Sequence, residues 1–161
     1  MVGEWDFTRI DRQGQLRMVD VSAKEETLRE AHAEANVHLS ALVLEKIIRN
    51  EVPKGNVFEA ARVAGIIAAK RTWELIPLCH PIRLTLVDLD FIIDEPRSLI
   101  RIRSKVRTKD RTGVEIEALV AVTHAALTIY DMCKAIDHSI TIGDIHLTFK
   151  TGGKSGTYQS R

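Results

Sequence analysis

The sequence predicts an α+β domain, an antiparallel sheet with helices packed on one face. Strand patterns outnumber helical ones, and hairpin signals dominate the connections between them. A chain of 161 residues that is 45% hydrophobic can bury one sizeable core. No internal repeat or long linker divides it, so residues 1–161 are expected to form one domain.

The first element is a strand over 29–39. Ala31, Ala33, Ala35, Val37 and Leu39 alternate with His32, Glu34, Asn36 and His38, a period of two that outweighs the poor strand propensity of alanine. Ser40 then caps a helix with an apolar face of Leu42, Val43, Ile47 and Ile48, which Pro53-Lys-Gly55 ends. Asn56 caps a second helix running to Lys70, and Pro77 and Pro81 mark its exit into a loop that carries Leu78, Cys79 and His80. A strand near 84–94, a turn at 94–98 and a strand near 99–107 form an antiparallel hairpin. A long helix follows from about 114 to 136. Within it Glu117, His124 and Asp131 stand seven apart, close to two helical turns, and so fall along one stripe. A last strand, 140–149, leads into a glycine-rich segment.

Charge narrows the function. Twenty-three basic residues nearly cancel twenty-two acidic ones, so no global field favours nucleic acid or an anionic membrane. The first residues lack the basic start and apolar run of a signal peptide, and charges interrupt the long apolar stretches. A soluble, cytoplasmic protein with reduced Cys79 and Cys133 is expected.

Three segments concentrate reactive side chains among apolar neighbours, Leu75–Pro81, Thr112–Leu119 and Leu127–Ala135, and a fourth, glycine-rich segment follows at Lys150–Gly156. Asp131 and Lys134, three apart on the long helix, can adjust each other's proton affinity, although exposed pairs at this spacing are common surface salt bridges. Their apolar neighbours suggest partial burial. Adjacent Cys79 and His80 cannot both ligate one tetrahedral ion comfortably, and no second ligand pair completes a zinc site. Glu115 and Glu117 open the long helix, where its dipole favours anions; that explains one glutamate better than two. The Gly-Gly-Lys-Ser run at 152–155 is not a P-loop, because Thr148 stands where the pattern needs glycine. A flexible tail, or a glycine-rich cover over an anion, both remain open for it. Arg101, Arg103, Lys105 and Arg107 share one strand face, the wet face of a sheet or an interface in the plainer explanation.

Taken together, these four segments closely resemble the MoaC family of cyclic pyranopterin monophosphate synthases, from about Met18 to Gly156. The resemblance implies a ferredoxin-like arrangement. It also implies a lyase of molybdenum cofactor (molybdopterin) biosynthesis, in which a cyclised dihydroguanosine triphosphate from an upstream radical enzyme becomes a tricyclic pterin with a cyclic phosphate, releasing pyrophosphate. Asp131 matches the family's catalytic aspartate and Lys134 its essential lysine. Leu78, Cys79 and His80 match a substrate-binding segment, as do Glu115, Ile116 and Glu117, with Ile116 where the family usually has methionine. Lys54, Lys70 and Lys150 match basic residues of the family, Lys154 beside them can help neutralise a triphosphate, and Arg111 stands where a lysine is usual. A homohexamer built as a trimer of dimers, with sites at dimer interfaces, is implied as well. No metal ligands are assigned, although Mg2+ can accompany the triphosphate. The competing expectations are a noncatalytic nucleotide-binding module and a zinc-dependent cyclohydrolase.

Overall fold

The computed structural model describes residues 9–11, 13–154 and 156–160. Its elements are β1 (Thr27–His38), α1 (Ala41–Ile48), α2 (Val57–Lys70), α3 (Thr72–Leu75), β2 (Leu84–Asp94), β3 (Leu99–Asp110), α4 (Glu115–Cys133), β4 (Thr141–Thr151) and β5 (Tyr158–Gln159). The strands form one antiparallel sheet in the order β2-β3-β1-β4-β5. Removing the short edge strand β5 and the small helices leaves β1-α2-β2-β3-α4-β4, the ferredoxin-like unit.

The alanines of β1 have a packing reason. Ala31, Ala33 and Ala35 are all but completely buried, and their small side chains let α4 lie close to the centre of the sheet. α4 answers with Ala118, Ala121, Ala125 and Ala126, also buried, and the Ser104 hydroxyl of β3 donates to the Ala118 carbonyl at 2.8 Å. α4 is long and apolar enough in composition to span a bilayer. It owes that composition to burial on two sides, by the sheet and by α2.

α2 and α4 run antiparallel and touch at Gly65, where an added Cβ would lie 2.8 Å from the Ala121 carbonyl oxygen and 2.9 Å from Leu89. The caps expected at Ser40 and Asn56 form, accepting from the Val43 and Glu59 amides. The apolar face expected for α1 needs correction. Val43, Leu44 and Ile47 are buried, whereas Leu42 and Ile48 flank them and are exposed. Three residues at i, i+1 and i+4 are all that an eight-residue helix turns toward the core.

The sheet face away from the helices carries the basic stripe. Arg101 and Arg103 pair with Glu34, and Lys105 and Arg107 pair with Glu30, so each of these cations has a carboxylate partner within the sheet. Burial raises the proton affinity of Glu30, but hydrogen bonds from Arg107 and His32 and the neighbouring cations outweigh it and hold its carboxyl low.

Candidate active site

The residues singled out in the sequence gather at the two ends of α4. At the C-terminal end, Asp131 accepts from Lys134 Nζ at 2.7 Å and from Lys54 Nζ at 3.1 Å. Lys54, on the turn after α1, also donates to the Asp131 backbone carbonyl at 2.8 Å. A helix C-terminus collects partial negative charge, and α4 has no basic residue of its own in its last turn. Carboxylate and carbonyl together therefore draw in two ammonium groups. The hydrogen bond from Lys134, then that from Lys54, holds the Asp131 carboxyl below its usual range, and the same contact holds the Lys134 ammonium above its own.

The expected partial burial of this pair is not what the fold provides. Met132 and Cys133 turn into the core, and Asp131 and Lys134 occupy the opposite side, exposed. Burial pushes the Cys133 thiol up to about 11, so it stays protonated.

The N-terminal end holds the rest. Leu78, Cys79 and His80 are half-buried on the loop after α3, and His80 Nε2 lies 2.7 Å from the Val19 carbonyl oxygen. A carbonyl only accepts, so Nε2 carries the hydrogen and a neutral ring keeps Nδ1 free to accept. Ile116 is half-buried, and Glu117 is only 3% exposed. Burial, with a smaller contribution from Glu115, raises the Glu117 carboxyl to about 7. The Cys79 thiol is raised by its own burial and then by the Glu117 charge. Glu115 meets Lys150 at 3.1 Å. Lys70, exposed at the C-terminus of α2, belongs to this end because α2 and α4 are antiparallel. Lys154 lines a cleft of ≈ 770 Å³ with Arg29, Arg111, Thr112, Gly113 and Glu115.

The stripe of Glu117, His124 and Asp131 thus runs from a buried carboxyl to an exposed one. Fourteen residues at 1.5 Å each put the two ends about 21 Å apart. No side chain closes that gap, so one protomer does not bring Asp131 and Lys134 to the residues around Glu117. Lys54, by contrast, belongs to the Asp131 end in the same protomer.

Gly152 and Gly153 take φ of +99° and +75°, and the chain returns as β5 against Phe149 and Lys150. An added Cβ at Gly152 would collide with the Leu28 carbonyl oxygen, and one at Gly153 with the Arg29 guanidinium. Ser155 lies outside the described residues.

Arg29 was not among the residues marked from the sequence, yet a signal was there. It shares the strand phase of Ala31, Ala33 and Ala35, the buried face of β1, where a charge has no ordinary reason to stand. Among the described residues no three His, Cys, Asp or Glu side chains converge as a metal-binding group.

The chain matches the MoaC family over residues 18–153. It is 54% identical over 155 residues to a cyclic pyranopterin monophosphate synthase of Pelotomaculum thermopropionicum, covering 96% of this chain and 91% of the relative. A protein of the same name from Desulforapulum autotrophicum is 54% identical over 153 residues, covering 95% and 94%. Another from Roseiflexus castenholzii is 52% identical over 151 residues, covering 94% and 96%.

Proposed function

The chain belongs to the MoaC family, and on that premise we propose that the two ends of α4 are complementary halves of one synthase site. The activity is that of a cyclic pyranopterin monophosphate synthase, the lyase step of molybdenum cofactor biosynthesis. It converts (8S)-3',8-cyclo-7,8-dihydroguanosine 5'-triphosphate to cyclic pyranopterin monophosphate and releases pyrophosphate.

The observation that carries the two-copy reading is the separation of about 21 Å between Asp131 and Glu117 on a single rigid helix. A two-fold axis sets the C-terminal end of one α4 against the N-terminal end of its partner, and does so twice. Assembly is further supported by Val63, Ile67 and Leu127, which are about half exposed on the outer surface of α2 and α4 between the two ends. The full assembly in this reading is a homohexamer, a trimer of dimers, of a chain that works as one domain over 1–161 in the cytoplasm. Its substrate comes from an upstream radical enzyme.

The chemistry divides between the halves. Asp131 rests ionised between two ammonium groups, which makes it a weak base while solvent reaches it. Covering by substrate and a second protomer desolvates it and raises its proton affinity toward that of a working base. Lys134, held protonated, donates to oxygen that gains negative charge as rings open and close. Glu117, nearly balanced between its two forms at neutral pH, offers a hydrogen bond to the purine-derived ring, and Leu78, Cys79, His80, Glu115 and Ile116 frame that ring. Lys54, Lys70, Lys150 and Lys154 neutralise the phosphates. Mg2+ would come with the triphosphate and offset its charge; among the described residues no carboxylate cluster forms a dedicated site for it.

Incubating the purified protein with the cyclised triphosphate tests the activity. Stoichiometric pyrophosphate and a fluorescent pterin derivative are expected. Tight binding of the triphosphate without turnover would leave the noncatalytic module as the better description.

A further inference from the structure

We propose that His124 sits on the two-fold axis that joins two protomers, so that two imidazoles meet there and a second proton on the pair drives the protomers apart. The inference rests on reading the two ends of α4 as complementary halves, and it adds a contact and a pH response that the halves themselves do not require. Where a two-fold axis relates two antiparallel helices, residue i meets residue j and j meets i, so the two numbers keep a constant sum along the contact. Asp131 against Glu117 fixes that sum. The residue that meets its own copy is the one midway, seven from each, and that residue is His124.

The side chain is placed for such a meeting. His124 is half-buried on the stripe between the two ends, one turn from the half-exposed Leu127. Its Nδ1 lies 3.0 Å from the Val120 carbonyl oxygen. A carbonyl only accepts, so Nδ1 carries the hydrogen and the neutral ring keeps a lone pair on Nε2, which has no partner among the described residues. The nearby hydroxyls are used within the helix: Thr123 donates to the Leu119 carbonyl and Thr128 to the His124 carbonyl, each at 2.7 Å. The imidazole nitrogen is therefore the polar atom left to face a partner.

No carboxylate stands beside the ring to hold two protons on the pair. Glu117 and Asp131 are each about 10 Å away along α4, and symmetry gives their partner copies the same spacing. On α2, Arg62 pairs with Glu59 and turns to the Leu89 carbonyl and the Phe91 ring, whereas Lys70, like Glu74 of α3, belongs to the Glu117 end. Glu34 and Asp90, in register with Arg103, lie on the sheet face away from α4, as do the charges in register with Lys105. Lys150 of β4 reaches Glu115 at the far end. Histidine changes charge between about pH 5 and 8. One proton lets one Nε2 donate to the lone pair of the other; a second leaves two cations with no acceptor between them. Separated protomers take up the proton that the pair refuses, so dissociation grows as pH falls. Both shared sites span that axis, so the same step opens both.

His124→Cys tests the axis. Copies of residue 124 face each other without offset, whereas copies of Leu127 are displaced by twice three residues, about 9 Å along the helices, beyond the reach of a disulfide. Mild oxidation should give a covalent dimer of His124→Cys at least about tenfold faster than of Leu127→Cys or of the parent, whose Cys79 is half-buried and Cys133 buried. Sedimentation at low protein concentration tests the response. From pH 7 to pH 5 the dissociation constant of the two-fold contact should rise about tenfold more in the parent than in His124→Gln, which keeps Glu117 and every other titrating group. No self-crosslink at residue 124, crosslinking at Leu127 that is as fast or faster, or a Gln variant with the parent's pH dependence would each overturn the proposal. The crosslink and the pH series use different variants, so each stands if the other variant fails to fold. Mixed oligomers of Asp131→Asn and Glu117→Ala test the halves without reference to residue 124: recovered activity with no self-crosslink refutes the axis and leaves the shared site intact, whereas a fast self-crosslink without recovery does the reverse.

Discussion

Glu117→Gln converts the burial of one carboxyl into a measurable pH dependence. In the folded protein the group titrates at about 7, against an ordinary value of 4.5. The folded state therefore holds a proton that the unfolded chain releases once pH passes 4.5. Stability falls as pH rises through that window and levels off above 7. Across pH 5 to 8 the loss amounts to about 2.5 kcal/mol, a large share of the stability of a domain this size. Glutamine keeps the shape and removes the titration. Whatever constant cost the amide carries, the difference in stability between Glu117→Gln and the parent should grow by about that amount in favour of the variant from pH 5 to pH 8. Urea unfolding at a series of pH values, at one protomer concentration, measures it directly. A difference that stays flat within about 0.5 kcal/mol would show that Glu117 is ionised throughout, and the argument from desolvation would be wrong.

Other perturbations address the chemistry and the packing. Asp131→Asn should fold and assemble like the parent while losing at least about a hundredfold in turnover, because the amide accepts no proton; near-parental turnover would make Asp131 structural. Lys134→Ala should be comparably impaired, and the double variant with Asp131→Asn should lose far less than the product of the two effects, since the groups touch at 2.7 Å. Mixed oligomers of Asp131→Asn and Glu117→Ala subunits should regain activity that neither homo-oligomer has, because the lesions lie at opposite ends of α4. Lys54→Ala in place of Glu117→Ala should give no recovery, since Lys54 and Asp131 share one end of one protomer. Recovery with Lys54 would place the division of the site elsewhere. Gly65→Ala should cost about 1–3 kcal/mol in thermal or urea unfolding by forcing α2 away from Ala121 and Leu89.

Local order was legible in the sequence because local order is periodic. The alternation at 29–39, the caps at Ser40 and Asn56 and the turn between β2 and β3 each record backbone geometry within a few residues, and each lies where its pattern put it. The family was legible for a related reason: short motifs keep reactive side chains at fixed spacing, and four of them are present. Burial and distance were not legible. Asp131 and Glu117 share a stripe in the sequence, but one is exposed and the other sealed, because desolvation depends on how the rest of the fold packs around each end of the helix. Lys54 and Lys150 read alike as basic residues suited to phosphate, yet they stand at opposite ends of α4, one on Asp131 and the other on Glu115. Arg29 looked like one more strand residue until Gly152 and Gly153 were found folded against it. The sequence by itself determined the four long strands and the three longer helices, though not α3 or β5, together with the family and the chemical inventory of the site. Only the tertiary structure decided which charges meet and which lose water, since both depend on contacts between segments far apart in the chain, which no local spacing encodes.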